Sequence, residues 1–475
     1  MSYDIVVIGS GPNGMAAAIE LARKGLNVHV IEGAGSVGGG TRTDELTLPG
    51  FKHDFCSAVH PMGVLSPYFK KLPLEKYGLK WLFPEVSVAH PLDNGSAVLL
   101  EKSINKTAYG LGVDGKAYSK LITPFVKRAD DLLEDSLSPL KVPAHPGLMF
   151  NFGLKAIRSA QSLAESLYKN EAAKALFAGC AGHSILPLSK PLSAAVGLLF
   201  QITAHVSDWP VALGGSIGIS QALSKYFKAL GGTIETDSWI SSMKDLPSAR
   251  AYVFDTDPYQ LSEIAGNDLP EGFKKQLKRY RFGPAAFKID WALDGAIPWK
   301  DSNCLKASTV HIGGTLSEIS QSENDAWYGK VNKKPFVLLC QQSQFDTTRA
   351  PEGKHTGYAY CHVPNGSTED YTEYIEAQVE RFAPGFKGII LDKKSTFPTD
   401  FQVYNPNYFG GAITGGAADL FQLFTRPTFR LNPYSTPNKK IFICSASTPP
   451  GGGVHGMCGF YAAKTVLKKI FRSHV

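Results

Sequence analysis

The chain has 475 residues, 43% of them hydrophobic and 19% charged, which supplies full cores for two or three domains and excludes a disordered polymer. Its formal charge of +7 is small for this length and its lysines and arginines are scattered, so no basic stripe points to a nucleic-acid partner. No apolar run is long enough to cross a bilayer and the first residues enter a core strand at once, so neither a transmembrane segment nor a signal peptide is expected. Tyr3-Asp-Ile-Val-Val-Ile8 reads as a buried strand. Gly9, Gly11 and Gly14 follow at dinucleotide-binding spacing. The first permits a tight turn, the second lets the backbone approach a pyrophosphate, and the third lets the next helix pack closely on the strand. That helix is predicted over about 11–24, with Pro12 tolerated in its first turn and Gly25 as its stop. Its free N–H groups and positive dipole end face the phosphates. A strand over 27–31 ends in Glu32, the acid placed to accept hydrogen bonds from ribose hydroxyls.

After Gly38-Gly-Gly-Thr-Arg42 comes a region of short strands and turns to about residue 105. Residues 114–207 read as largely helical, with apolar positions at three- and four-residue spacing over 116–137 and 153–168 and a buried helix at 194–202. A helix over 219–230 stops at Gly231-Gly232, and strands at 233–236 and 251–255 return to the nucleotide sheet. From 282 to 401 strand patterns dominate, at 286–293, 308–312, 335–339 and 357–363. A last strand at 440–444 passes through the glycine-rich turn Pro450-Gly-Gly-Gly-Val-His-Gly456 into a closing helix over 459–471, a second strand–turn–helix whose N–H groups face a ligand. The predicted architecture is α/β. A discontinuous Rossmann-like domain comprises 1–105, 208–281 and 402–475, a helical insertion 106–207, and a mostly antiparallel-sheet domain 282–401. Seven cysteines, none in a Cys-x-x-Cys pair, predict free thiols and a reducing, cytoplasmic setting. Cys180 and His183 have metal-like spacing but no second pair, so no metal site is expected. The basic, amphipathic stretch from Lys464 to Arg472 reads as the solvated face of a last helix, with peripheral membrane contact as the alternative.

These residues together resemble the flavin amine oxidase and phytoene desaturase superfamily, in its phytoene dehydrogenase-related branch, over nearly the whole chain. The resemblance implies FAD, held in a Rossmann-like domain of the glutathione reductase type. On it, Gly9, Gly11, Pro12, Gly14 and Glu32 form the FAD fingerprint, and Gly38 and Gly39 lie against the pyrophosphate and flavin. Gly40, Thr41 and Arg42 follow them, although the superfamily's Gly-Gly-Arg is here interrupted by Gly40-Thr41, which displaces the arginine by two positions. It further implies that the backbone of Ile240 meets the adenine and that Gly452, Gly453, Val454, Gly456 and Met457 belong to the flavin-contacting segment. Only one nucleotide fingerprint is present, which argues against a two-nucleotide disulfide reductase.

The chemistry implied is hydride acceptance by the flavin from a small or hydrophobic organic substrate, with oxygen, a quinone or another acceptor reoxidising it. No nucleophilic triad is required. Lys288, mid-strand among Phe287, Ile289 and Trp291, is a candidate for the water-bridging lysine of amine oxidase relatives; the competing reading is an edge lysine pointing to solvent. His455, after three glycines, is a candidate acid or base, against a purely loop-shaping hydrogen bond. His60 is expected to line the pocket or to be a satisfied structural histidine. Two further readings stand beside the desaturase-like dehydrogenase: an amine oxidase, and a non-catalytic prenyl-protein carrier of the GDP-dissociation-inhibitor type. Intact glycines at both ends and Glu32 speak against the carrier.

Overall fold

The computed structural model describes residues 3–474. Strand β1 (Tyr3–Ile8) buries Ile5, Val6, Val7 and Ile8, so both of its faces are covered, as a central parallel strand requires. It pairs in parallel with β2 (Val28–Ile31) and with the strand Ala249–Phe254. Thr233–Glu235 extends one edge and Ile441–Ile443 the other, giving five parallel strands drawn from three separate stretches of chain. Helix α1 (Pro12–Ala22) is buried from Asn13 onward because the closing helix Met457–Ile470 lies along it. Gly459 makes that crossing close: a methyl group there would overlap the carbonyl of Asn13.

The second sheet has seven strands in the order Ile390–Thr396, Ala285–Leu293, His355–Val363, Val337–Cys340, Ala307–Ile312, Val86–Pro91 and Ala97–Glu101. All pairings are antiparallel except that of Ala307–Ile312 with Val86–Pro91, so the sheet is mixed. Two of its strands therefore come from residues expected in the nucleotide domain. Val86–Pro91 is buried throughout and is paired on both sides, in parallel with Ala307–Ile312 and antiparallel with Ala97–Glu101. Residues 104–207 are helical. The two long helices expected there are broken, at Lys127-Arg128 and at Ser159, whose hydroxyl caps a new helix by accepting from Ser162 N. At Ser159 this cap outweighs the uninterrupted apolar spacing, whereas the helix Ala129–Ser136 begins without a side-chain cap. The helices share one apolar core with the face of the second sheet that carries Val88, Leu100 and Leu338, and so roof that sheet.

Candidate functional site

A cavity of about 630 Å³ opens at the carboxyl ends of the parallel strands, where a sheet of this kind binds its ligand, and continues between the helical roof and the second sheet. Gly9 turns sharply with φ +98° against Asp255; at the start of α1 Gly11 has no side chain to cap the helix and Gly14 N is taken by Asp255, which leaves the N–H of Asn13 to a ligand. Gly39 (φ +54°) sits above that turn, so close that a Cβ on it would lie 3.2 Å from the Cα of Gly11. Glu32 is fixed from both oxygens: Ser10 N and Oγ donate to Oε2 at 2.9 and 2.6 Å, and Ala34 N and Arg42 Nη2 to Oε1 at 3.0 and 3.2 Å. Arg42 also donates to Ser36 O and faces the Tyr404 ring, 5.4 Å from its centroid, and the Tyr404 hydroxyl donates to Gly39 O at 2.7 Å. Thr41, fully buried, bonds Gly38 O and Ser220 Oγ and locks the double-glycine loop on the helix Ile217–Ala229.

Three buried polar atoms of residues on the wall have no partner among the described residues: Asn13 Oδ1, His60 Nδ1 and Thr256 Oγ1. Buried polar groups are normally bonded, so these atoms mark where a polar ligand completes the structure. Asp255, at the end of its strand, accepts from Gly14 N at 2.9 Å, and burial raises its carboxyl well above the usual range. A dinucleotide fits this cradle: a helix start with the Asn13 N–H open, close glycines, an anchored acid and unpaired polar atoms.

Behind the wall lies a balanced ionic cluster. Arg349 Nη2 donates to Asp54 Oδ2 at 2.8 Å, and Lys288 pairs with Asp290; all four side chains are essentially unexposed. Asp54 also accepts from Thr43 Oγ1 and Ser216 N, and Ser216 Oγ meets Nε2 of His60 at 2.9 Å. The cluster thus holds the His60 ring in the wall. Burial pushes the His60 imidazole down to about 4 and keeps it neutral, and it lifts the Asp290 carboxyl to about 6 against the pull of Lys288.

Of the residues singled out from sequence, Gly9, Gly11, Pro12, Glu32, Gly39 and Gly40 line the cavity. Thr41, Arg42, His60, Ile240, Gly452, Gly453 and Val454 line it as well. Gly14 and Gly38 stand one layer back, Gly14 against Gly9 and Asp255, and Gly38 donating to Ser10 Oγ. Gly456 packs on Phe69 and Ala16, and Met457 N donates to His455 Nδ1 at 3.0 Å. The His455 ring is therefore turned into its own loop, its carbonyl accepts from Ser66 Oγ, and burial lowers its imidazole to about 4. Lys288 is not the solvent-pointing edge lysine of the competing reading. Its strand is interior to the sheet, and its ammonium lies 4.6 Å from the centroid of the Tyr358 ring, which separates it from the cavity. Sequence reasoning missed Asp255, Asn13, Thr256 and Tyr404. Asp255 had a signal, as an acid at the end of a strand assigned to the parallel sheet; Tyr404 had none, because it arrives from a distant helix.

The match to known proteins agrees with this geometry. Residues 7–72 match the NAD(P)-binding Rossmann-like domain family. The chain is 26% identical to mouse (Mus musculus) pyridine nucleotide-disulfide oxidoreductase domain-containing protein 2 over 98% of this chain and 94% of that one. It is 22% identical to a Staphylococcus aureus 4,4'-diaponeurosporene oxygenase over 96% and 95%. The chain fits the phytoene desaturase and flavin amine oxidase superfamily. The same fold is seen in a putrescine oxidase redesigned in its cofactor binding, which superposes with a TM-score of 0.64 at 17% identity, covering 100% of this chain and 99% of that one. These likenesses support an oxidoreductase, and the Rossmann-like match implies a dinucleotide cofactor. Among the described residues no cluster of His, Cys, Asp and Glu is arranged to hold a metal ion, and no helix is long and apolar enough to cross a membrane.

Proposed function

We propose that the protein is an FAD-dependent oxidoreductase that accepts hydride from an apolar organic substrate, in the manner of a dehydrogenase or desaturase. The observation that carries this reading is the single continuous cavity, which joins a dinucleotide cradle to a chamber walled by Ile185, Phe200, Trp209, Leu338 and Tyr360. FAD supplies a two-electron hydride acceptor when bound; the chain supplies position and dryness. The helix end at Gly11–Asn13 and the Gly39–Gly40 loop would hold the diphosphate, Glu32 the ribose, and the segment at Ile240 the adenine. Gly452–Val454 and His60 would border the ring system. The aromatic chamber excludes water from the reacting carbon, and neutral His60 avoids placing a fixed cation there. Oxygen or a quinone would reoxidise the cofactor. The relatives and solved structures reported above lend no support to a prenyl-protein carrier.

The visible spectrum of the purified protein tests the reading. Flavin bands near one per chain, released on heating and bleached anaerobically by a reductant, are expected; a colourless protein that refuses added FAD refutes it. We extend the proposal to a peripheral contact with anionic lipid. Leu140 (66% exposed) and Leu431 (fully exposed) rim a groove lined by Lys464, Lys468, Lys469 and Arg472. Co-sedimentation with phosphatidylserine vesicles that Leu431→Ser does not weaken would refute that extension.

A further inference from the structure

Besides His60, a second imidazole of the cavity, His183, stands among the apolar walls of the chamber. The helix Glu171–Gly182 ends at His183, and Ile185 two residues on is held at φ +53°, a left-handed conformation that a β-branched residue rarely adopts. The His183 ring is set edge-on to Phe200 and Trp209, with centroids at 4.7 and 5.5 Å, and its Nε2 meets Nε2 of His311 at 2.9 Å. His311, on Ala307–Ile312, is fully buried, and its Nδ1 has no partner among the described residues. The neighbouring titratable groups are engaged: His90 bonds Gly314 O at 2.7 Å, and Glu323 is taken by His362 Nδ1 at 2.8 Å.

Burial holds His183 down to about 3 and His311 well below its ordinary value, so both rings are neutral. Two neutral imidazoles joined through Nε2 share one proton in that bond. If His183 donated it, His311 would carry its own proton on Nδ1, as a buried N–H with no acceptor. If His311 donates it, Nδ1 of His311 is a bare lone pair, which is the cheaper atom to leave unmatched. The second arrangement puts the proton of His183 on Nδ1, available to the chamber. Among the described residues of the wall, the carboxylates are Glu32, Asp255 and Asp257, all at the nucleotide end, so nothing in the chamber pairs with a cation.

We propose that His183, its tautomer set by His311, is the specificity-determining donor for a substrate carrying a neutral oxygen, hydroxyl or carbonyl, on an apolar body, and that the chamber rejects ammonium groups. This rests on the redox reading above and names its substrate class. The test is calorimetric titration of the holoenzyme with geraniol, geranylamine and myrcene, probes that share an acyclic terpenoid body. Geraniol should bind about tenfold more tightly than myrcene, the worth of one neutral hydrogen bond, and geranylamine most weakly. His183→Leu should erase the advantage of geraniol and leave myrcene unchanged, while His183→Gln, which keeps an N–H donor, retains part of it. The assignment is overturned if geraniol fails to bind, if geranylamine matches it, or if His183→Leu leaves the geraniol-to-myrcene ratio intact. Flavin content read on the same samples separates the two claims: a colourless protein refutes the redox reading, and the ligand ranking decides the role of His183 by itself.

Discussion

Arg349→Leu, in the ionic cluster behind the wall, should be among the most damaging single changes, and the structure says by how much. The guanidinium donates to Asp54 at 2.8 Å and to Lys52 O at 3.0 Å, with both side chains of the pair within 1% of complete burial. Removing it leaves a carboxylate without its cation, served only by Thr43 Oγ1 at 2.6 Å, Ser216 N at 2.8 Å and Gln342 Nε2 at 3.3 Å. Breaking a buried pair from one side costs about 3–5 kcal/mol. Adding Asp54→Asn should recover much of that loss, because no charge is then stranded. The pH dependence follows from the same carboxyl. Burial alone would raise it, but Arg349 and the bonds from Thr43 and Ser216 win and lower it below 3.8. A depressed carboxyl stabilises the wild type above pH 3.8, and the contribution is lost as pH falls through the lower folded value. In Arg349→Leu the deficit should be full at neutral pH and shrink in acid. Urea denaturation followed by circular dichroism measures the cost, and flavin absorbance after gel filtration reports whether His60, held through Ser216, still completes the wall. A loss under about 1 kcal/mol, where exposed pairs usually lie, or a double variant no more stable than the single, would refute the reasoning.

Three other expectations are open to test. Gly14→Val should fail to fold, since its side chain would overlap the carbonyl of Gly9, whereas Gly11→Val, meeting the Asp255 carboxylate at 2.7 Å, should fold and lose flavin; soluble, yellow Gly14→Val would contradict this. Asp255 has a raised carboxyl, so stability present at low pH is lost as pH rises through its folded value, and Asp255→Asn should raise the melting temperature of flavin-free protein more at pH 8 than at pH 5. An offset that does not change with pH would sink that argument. His455→Ala should keep flavin and its rate of anaerobic reduction while losing about 0.5–2 kcal/mol of stability, the usual cost of deleting a bond to a helix N-terminus; a large drop in rate would restore a chemical role to this histidine.

The nucleotide end was legible because its determinants are contiguous. Strand, glycines, helix and Glu32 lie within thirty residues, and their backbone requirements show in residue type. The second sheet was only half legible. Its strands at 285–363 show as apolar runs, but the parallel pairing that brings Val86–Pro91 to Ala307–Ile312 spans more than two hundred residues and leaves no local trace. The same holds for the site. Lys288 reads from sequence either as a water-bridging lysine or as a solvent-facing edge residue; only the second sheet shows it to be interior, and the partner that neutralises its charge, Asp290, sits two positions along the same strand. His183 shows in the sequence only through its spacing to Cys180, and only the fold brings its ring to that of His311.

The parallel sheet has one consequence for how the protein is made. Its central strand leaves the ribosome first, but the outer strand Ile441–Ile443 and the wall at Gly452–Val454 are synthesised last. At about 5–20 residues per second, β1 waits roughly 20–90 s for them. Through that interval α1 has no helix Met457–Ile470 to cover it, and its apolar flank is open to chaperones or to other nascent chains. A dinucleotide held by this wall is therefore captured only after Gly452–Val454 has been made and folded onto the sheet.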